Sequence, residues 1–478
     1  MKTMDFPYAP FIIAFLFLMV SFPYIVPDLW MDEVISFWEF WRLGKFQEVF
    51  LHYPIANNHI LFSALMWLWC KFLGTNCGDI FLRIPCIAFA FISFLFLFYW
   101  GRKRFPYTGI FFSLVFCFSP IYLAFVYQLR GYGVSLFLAI LLSAGFWEFQ
   151  IKNYRQGFFL SIPAILLLPG IMPSNVLIVA STIMALGIVF YLRKSREWWV
   201  LAVLFPFLIL GLFPYFMIWK QFLLVLKDPL GWESPFSALG NIILALAIHL
   251  GILFLFLARL IYEQKKLKKR ISPQYPCWIL FGVSLFILIL SLFMRQPSPY
   301  PRTYLVFFPL FTLPFMALAE ELYIKEEFKR IGKKSLLLIL ACFALCAAIY
   351  QRISYSLVQN QIAKGLYPQN LLMQYYQNSH SASQLVKDLE IESIYIIGDF
   401  HQWLTFRHYW VLKGNNPDYV IDARNRKTVA RITEEPLNLL ILASNQQKAW
   451  ECVKLEKQYS LILWYGSGMY KLFSLTNN

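Results

Sequence analysis

The sequence predicts a polytopic α-helical membrane protein with a small C-terminal α/β domain. Three observations predict it. Of the 478 residues, 59% are hydrophobic and 19% aromatic, with 49 Phe and 16 Trp, where soluble chains hold roughly 45–50% apolar residues. The apolar residues recur in runs of about 20, the length that crosses a bilayer. The Lys and Arg behind the net charge of +16 sit in short clusters between those runs, so the charge reads as topology rather than as a nucleic-acid face.

Pro10 to Val26 makes the first span; the stretch from Met1 lacks a small-residue cleavage site and reads as a retained helix rather than a signal peptide. Orientation follows from the basic clusters: Arg102 to Arg104, Lys152 to Arg155, Arg193 to Arg196, Lys265 to Arg270 and Lys325 to Lys334. Placing all of them in the cytoplasm satisfies the positive-inside rule. Only one crossing then fits between the first outer loop and Arg102, and two stretches compete for it. Ile60 to Leu73 is short and carries Lys71, so it is laid on the surface as an interfacial helix, and Ile80 to Trp100 crosses.

The later crossings alternate: Tyr107 to Val126, Val134 to Phe149, Phe158 to Leu168, Val176 to Leu192, Trp198 to Trp219, Phe236 to Ile261, Cys277 to Phe293, Tyr304 to Leu322 and Ser335 to Tyr350, about eleven in all. Residues 1–350 form the membrane domain, with an outer platform over 27–83, and 351–478 a soluble extracytoplasmic domain. In that tail, Ser383 to Leu389 and Gln446 to Lys454 read as helices. Ser393 to Gly398, Tyr419 to Asp422, Leu437 to Ala443 and Tyr459 to Tyr465 read as strands. The eight cysteines show neither a metal spacing nor a disulfide framework.

The chemistry gathers on the outer side. Asp32 and Glu33 are adjacent carboxylates just past the first span, in a chain only 14% charged. They are either a base beside the membrane, since an aspartate ionised at neutral pH accepts a proton from an attacking hydroxyl, or the polar start of a helix. Arg83, at the outer start of a span, is either a phosphate-binding guanidinium or a headgroup anchor. Arg130 in Leu129-Arg130-Gly131-Tyr132 and Arg302 in Pro301-Arg302-Thr303-Tyr304 occupy outer loops from which positive charge is generally excluded. With Arg295 and Lys220 they offer an anion site, and Tyr304 a hydrogen-bond donor. His59, after Asn57-Asn58, either hydrogen-bonds the substrate or caps the interfacial helix. Asp32 and His59 match no standard metal-ligand spacing, so no metal site is assigned. Asp399, His401 and His408 read as polar surface of the tail.

These motifs, in this order and on this side, resemble the GT-C membrane glycosyltransferases, specifically the family 39 or protein-mannosyltransferase-like group that includes lipid A aminoarabinose transferases. The matching residues are Trp30-x-Asp32-Glu33, Asn57-Asn58-His59, Arg83-Ile84-Pro85, Arg102-Lys103-Arg104, Leu129-Arg130-Gly131-Tyr132 and Pro301-Arg302-Thr303-Tyr304, the last before a span interrupted by Pro309 and Pro314. The chain departs in reading His59-Ile60-Leu61 where many relatives have His-Pro-Pro, and Gln128 and Arg130 where some carry a second acid.

The resemblance implies an inverting transfer of a sugar from a polyprenyl-phosphate carrier to a hydroxyl of a lipid, glycan or protein acceptor. It would take place at the outer face of a bacterial inner membrane. Asp32 would be the base, beside Glu33, and Arg83 and Arg302 would bind the departing phosphate. No cofactor is expected, and a divalent cation stays open. The rival reading from another class is a transporter or flippase of lipid-linked saccharides. Transporters place their charges near the bilayer midplane in repeated halves, and no repeat is visible here.

Overall fold

The computed structural model describes residues 9–25, 29, 31–53, 58–74, 78–106, 108–227, 234–247, 275–294, 301–322, 394–397, 400–412, 420–422, 439–443, 459–467 and 470–477. The basic clusters after residue 264, the expected span Ser335 to Tyr350, the two expected tail helices, Arg295, Asn57 and Asp399 lie outside them.

In chain order the helices are α1 (Ala9–Ile25), α2 (Met31–Ser36) running into a π-helical turn (Phe37–Trp41), α3 (Phe46–Leu51), α4 (Ile60–Leu73), α5 (Asp79–Arg104), α6 (Gly109–Cys117), α7 (Pro120–Val126), α8 (Tyr132–Gln150), α9 (Tyr154–Ile171), α10 (Val176–Leu192), α11 (Trp199–Met217), α12 (Trp219–Lys227), α13 (Pro235–Ala247), α14 (Tyr275–Met294), α15 (Phe308–Leu322) and α16 (Phe400–Leu412). Seven helices among the described residues are long and apolar enough to cross a membrane: α5, α8, α9, α10 with the 3₁₀ turn before it, α11, α14, and α15 with the turn that leads into it. The chain is an integral membrane protein.

Two expectations about the spans resolve differently. Ile60 to Leu73 forms α4, 14 residues long and too short to cross. Tyr107 to Val126, expected as one span, is instead broken into α6 and α7. The break lies at Phe118 and Ser119, immediately before Pro120, which lacks an N–H and is tolerated only in a helix's first turn.

The chain divides into two compact units. The first takes Met1–Tyr24, Leu43–Phe72 and Leu82–Ala348. Within it α8 and the Arg302–Glu321 helix are buried along almost their whole length, whereas α11 and α14 are largely exposed and apolar, as lipid-facing helices require. Gly101 and Gly109 let backbones touch: a Cβ on Gly109 would lie 2.1 Å from the Gly101 carbonyl oxygen. Nearby, buried Glu148 at the end of α8 accepts hydrogen bonds from Trp100 Nε1 at 3.0 Å, Arg104 Nε at 2.6 Å and Asn153 Nδ2 at 2.7 Å. Glu320 Oε2 accepts from the Thr108 N–H and hydroxyl at 2.9 and 2.8 Å, holding the turn into α6. Both acids are thus fully engaged at helix ends, where an unmatched buried charge would cost several kcal/mol.

The second unit takes Ile25–Arg42, Leu73–Phe81 and Ile349–Asn478, so the stretch 27–83 contributes to both. Its five strands, β1 (Ile394–Ile397), β2 (Val420–Asp422), β3 (Leu439–Ala443), β4 (Tyr459–Ser467) and β5 (Tyr470–Asn477), form one sheet in the order β2-β1-β3-β5-β4. β1 is parallel to β2 and β3, and the β4–β5 hairpin is antiparallel, with a bulge between Leu463 and Tyr465. Parallel β1 and β2 require a crossover, and α16 supplies it. The sequence reading located the first four strands but not β5 or α16.

The glycine contact yields a paired prediction. Gly109→Ala should lower thermal stability in detergent by roughly 2–4 kcal/mol through overpacking against backbone. Gly240→Ala in α13, where a Cβ meets nothing within 4 Å, should leave it unchanged or slightly raised. Equal melting temperatures for the two variants would contradict the close packing.

Candidate functional site

Asp32 and Glu33 occupy the first turn of α2, where negative charge suits the helix dipole. Both lie in the second unit, and their exposures differ: Asp32 keeps 8% of its surface while Glu33 keeps none. Ser36 turns its hydroxyl back to the Asp32 carbonyl at 2.8 Å, and the helix then widens into the π-turn Phe37–Trp41, a distortion frequent at functional sites. Leu29 and Trp38, on either side of Asp32, are bonded to α16 through Tyr409 and His408.

The cationic residues belong to the first unit. Arg83, near the start of α5, is only 1% exposed, which favours a site residue over a headgroup anchor. One turn on, Cys86 Sγ contacts the Gln128 carbonyl at 3.4 Å and so ties α5 to the 127–131 turn. That turn carries Arg130, whose N–H returns to the Gln128 carbonyl at 2.8 Å. It closes through Gly131 at φ +73°, where a Cβ would also meet Ile171 Cγ2 at 2.9 Å and Phe62 Cβ at 3.1 Å. Only glycine satisfies both the left-handed backbone and the space. Arg302 is buried in the 3₁₀ turn Pro301–Phe307, as is Tyr304, whose hydroxyl lies 3.3 Å from Ser291 Oγ on α14.

His59 joins these pieces. Its carbonyl accepts the Ser63 N–H at 2.7 Å and starts α4. The ring is buried, hydrogen-bonds the Arg130 backbone and stands edge-on to Tyr132 at 6.0 Å. Burial first, then the charges of Arg130 and Arg302, hold the imidazole well below its ordinary value, although the bond to the Arg130 backbone opposes them. His59 is therefore neutral at pH 7. Since Nδ1 has no partner among the described residues, the backbone bond uses Nε2–H, and Nδ1 is left as an acceptor. The neighbouring Asn58 spends its Nδ2 on the Val49 and His52 carbonyls at 3.3 and 3.0 Å. Its buried Oδ1 also lacks a described partner.

The first unit thus brings together Arg130, Arg302, His59 and Tyr132, a positively charged cluster with buried acceptors whose chemistry suits an anion and hydroxyl groups. Lys220 is exposed on α12 and shares none of these contacts. Among the described residues no three His, Cys, Asp or Glu side chains lie together in a way that could hold a metal ion. The sequence reading overlooked the tail contacts. His408, expected at the surface, is 1% exposed, and Tyr409 is 3% exposed; the aromatic density of Trp403 to Trp410 was the signal available.

The depressed His59 value has a consequence for stability. Above the ordinary imidazole value of about 6.5 the ring is neutral folded and unfolded. Below it, the unfolded chain takes up a proton that the folded chain refuses, so stability falls as pH drops from that point. The melting temperature of wild type should therefore fall between pH 7.5 and 5 by more than that of His59→Gln. Parallel falls would show that His59 is not the group responsible.

No family model matches the sequence, and no curated protein does. Solved structures do match. The aminoarabinose transferase ArnT from Cupriavidus metallidurans in the apo state aligns with TM-score 0.54 and 11% identity over 97% of this chain and 98% of its own. The same protein bound to undecaprenyl phosphate aligns with TM-score 0.54 and 11% identity over 98% of each chain. The arabinosyltransferase EmbB from Mycobacterium smegmatis aligns at TM-score 0.40 and 16% identity over 64% of this chain and 30% of its own, a likeness too slight to build on. Nearly complete coverage of both chains shows that this protein has the GT-C fold.

Proposed function

We propose that this protein is a membrane glycosyltransferase that moves a sugar from a polyprenyl-phosphate carrier to an acceptor hydroxyl, with inversion, on the outer face of a bacterial inner membrane. The observation that carries the reading is the buried group formed by Arg130, Arg302 and neutral His59. The ArnT likeness over the full chain, with one of those structures holding undecaprenyl phosphate, supports the choice of a lipid phosphate as the anion.

In this reading the acceptor oxygen attacks the anomeric carbon while the bond from that carbon to the phosphate oxygen breaks. The proton goes to the Asp32 carboxylate and the electron pair leaves with the polyprenyl phosphate. Fixed guanidinium groups at Arg83, Arg130 and Arg302 stabilise the charge that develops on the phosphate, in a site dry enough to make them effective. A neutral His59 suits the task. Its Nδ1 accepts from a donor-sugar hydroxyl, with Asn58 Oδ1 beside it in sequence as a second acceptor. Tyr304 adds a hydroxyl, and Glu33, fully buried, supports the helix that carries Asp32. The reaction is proposed to need no metal.

Transfer of labelled sugar from a panel of polyprenyl-phosphate donors to a crude envelope extract tests this. Wild type should transfer, and Asp32→Asn should lose about 10³-fold or more in turnover, the upper part of the range for general-base removal, while still binding carrier. Unchanged turnover would remove Asp32 as the base. Arg130→Ala should raise the Kd for polyprenyl phosphate by about tenfold or more, and unaltered affinity would take it out of the phosphate site. A chelator should leave the rate unchanged; loss restored by one divalent ion would refute the metal-free mechanism. Carrier binding without transfer by wild type would shift the reading to a flippase.

A further inference from the structure

The second unit contains an arrangement that the reaction above does not use. The tail helix α16 grips the Asp32 segment at two points, one on each side of the acid. Before it, the Leu29 N–H donates to the Tyr409 hydroxyl at 2.5 Å. The same hydroxyl donates to Asp79 Oδ2 at 2.5 Å. The carboxylate can only accept, so the phenolic proton is committed to Asp79 and the oxygen lone pair to Leu29. After the acid, Trp38 Nε1 donates to His408 Nδ1 at 3.2 Å. The Phe37 ring stands edge-on to the His408 ring at 5.2 Å. Leu29, Tyr409 and His408 are all at least 97% buried, so the Leu29 bond is shielded from water, while the bonds to Trp38 and Asp79 are partly buried.

We infer that Tyr409 and His408 are positioning residues: the C-terminal domain sets where the Asp32 carboxylate points. The inference rests on the reading of Asp32 as the base and gives the domain a role in turnover rather than in acceptor capture. Asp79 completes the device from a third segment, Leu73–Phe81, which belongs to the same compact unit. Short α2, only six residues long, has too few internal hydrogen bonds to fix its own direction. Its direction is imposed by the helix it lies against.

The test uses the full-length protein with radiolabelled polyprenyl-phosphate sugar and measures kcat and donor KM separately. Tyr409→Phe removes one oxygen and keeps the ring. It should lower kcat about 10- to 100-fold, the cost of a slightly misplaced catalytic group, with donor KM unchanged within about twofold. His408→Leu should behave likewise, and His408→Asn, which restores an acceptor near the Nδ1 position, should recover most of the rate. Full turnover by Tyr409→Phe, a rise in donor KM matching the fall in kcat, or equal rates for the Leu and Asn variants at position 408 would overturn the inference. Should Tyr409→Phe fail to fold, Trp38→Phe removes the second bond from its other side and is read in the same way. Asp32→Asn run in parallel separates the two claims. Wild-type activity lost with Asp32→Asn but kept by Tyr409→Phe defeats only the positioning role. Activity retained by Asp32→Asn removes the base assignment and this inference with it.

Discussion

The organising constraint of the first unit is the burial of guanidinium groups inside a membrane protein. Arg83, Arg130 and Arg302 are each at most 7% exposed. Holding such charges away from water costs several kcal/mol apiece even after relaxation, and membrane proteins keep them where they serve function. Much around them follows from that cost. Gly131 is required because the turn presenting Arg130 needs a left-handed residue in a space without room for a side chain. His59 is kept from taking up a proton first by its own burial and then by the positive charge that two of the arginines supply. A neutral imidazole in that position is an acceptor, so the same charges that prepare the unit for an anion also prepare it to orient a hydroxyl group.

The opposite chemistry is used to close the bundle. Glu148 and Glu320 are also buried, but each meets several donors at a helix end. The turn between α5 and α6, where Gly101 and Gly109 touch, is tied by both. A site rich in cations and a junction rich in satisfied acids therefore occur in one unit with different purposes. The junction is matched side chain to side chain. The site offers acceptors at Asn58 and His59 for which the described protein supplies no partner.

Much of this was legible in the sequence, and the reason is periodicity and exclusion. Spans announce themselves by length and apolar content, and α4 was recognisable as too short to cross. Arg130 and Arg302 stood out because they fall in loops that the charge pattern assigns to the side from which Lys and Arg are generally excluded. The break between α6 and α7 was missed, although Pro120 marked it, because the apolar run continues unbroken through Ser119. β5 and α16 were missed for a different reason. In a short aromatic-rich segment such as Trp403 to Trp410 the apolar residues follow neither a helical nor an alternating spacing clearly. Tertiary packing decides the outcome there.

The contact between α16 and the Asp32 segment lay beyond any sequence reading, since it joins residues near opposite ends of the chain. Its chemistry nevertheless explains why those residue types are suited to it. One hydroxyl bridges a backbone N–H and a carboxylate only if it can accept and donate at once, which rules out Lys or Arg at position 409 and leaves Phe with neither function. The backbone N–H of Leu29 would be an orphan donor without it, a loss of about 1–3 kcal/mol in a buried place. At position 408 the ring must present an unprotonated nitrogen to the Trp38 N–H, which a cationic side chain could not do. The two contacts therefore hold the acidic segment by polar geometry at both ends, while the Phe37 ring packs edge-on against His408 beside the second of them.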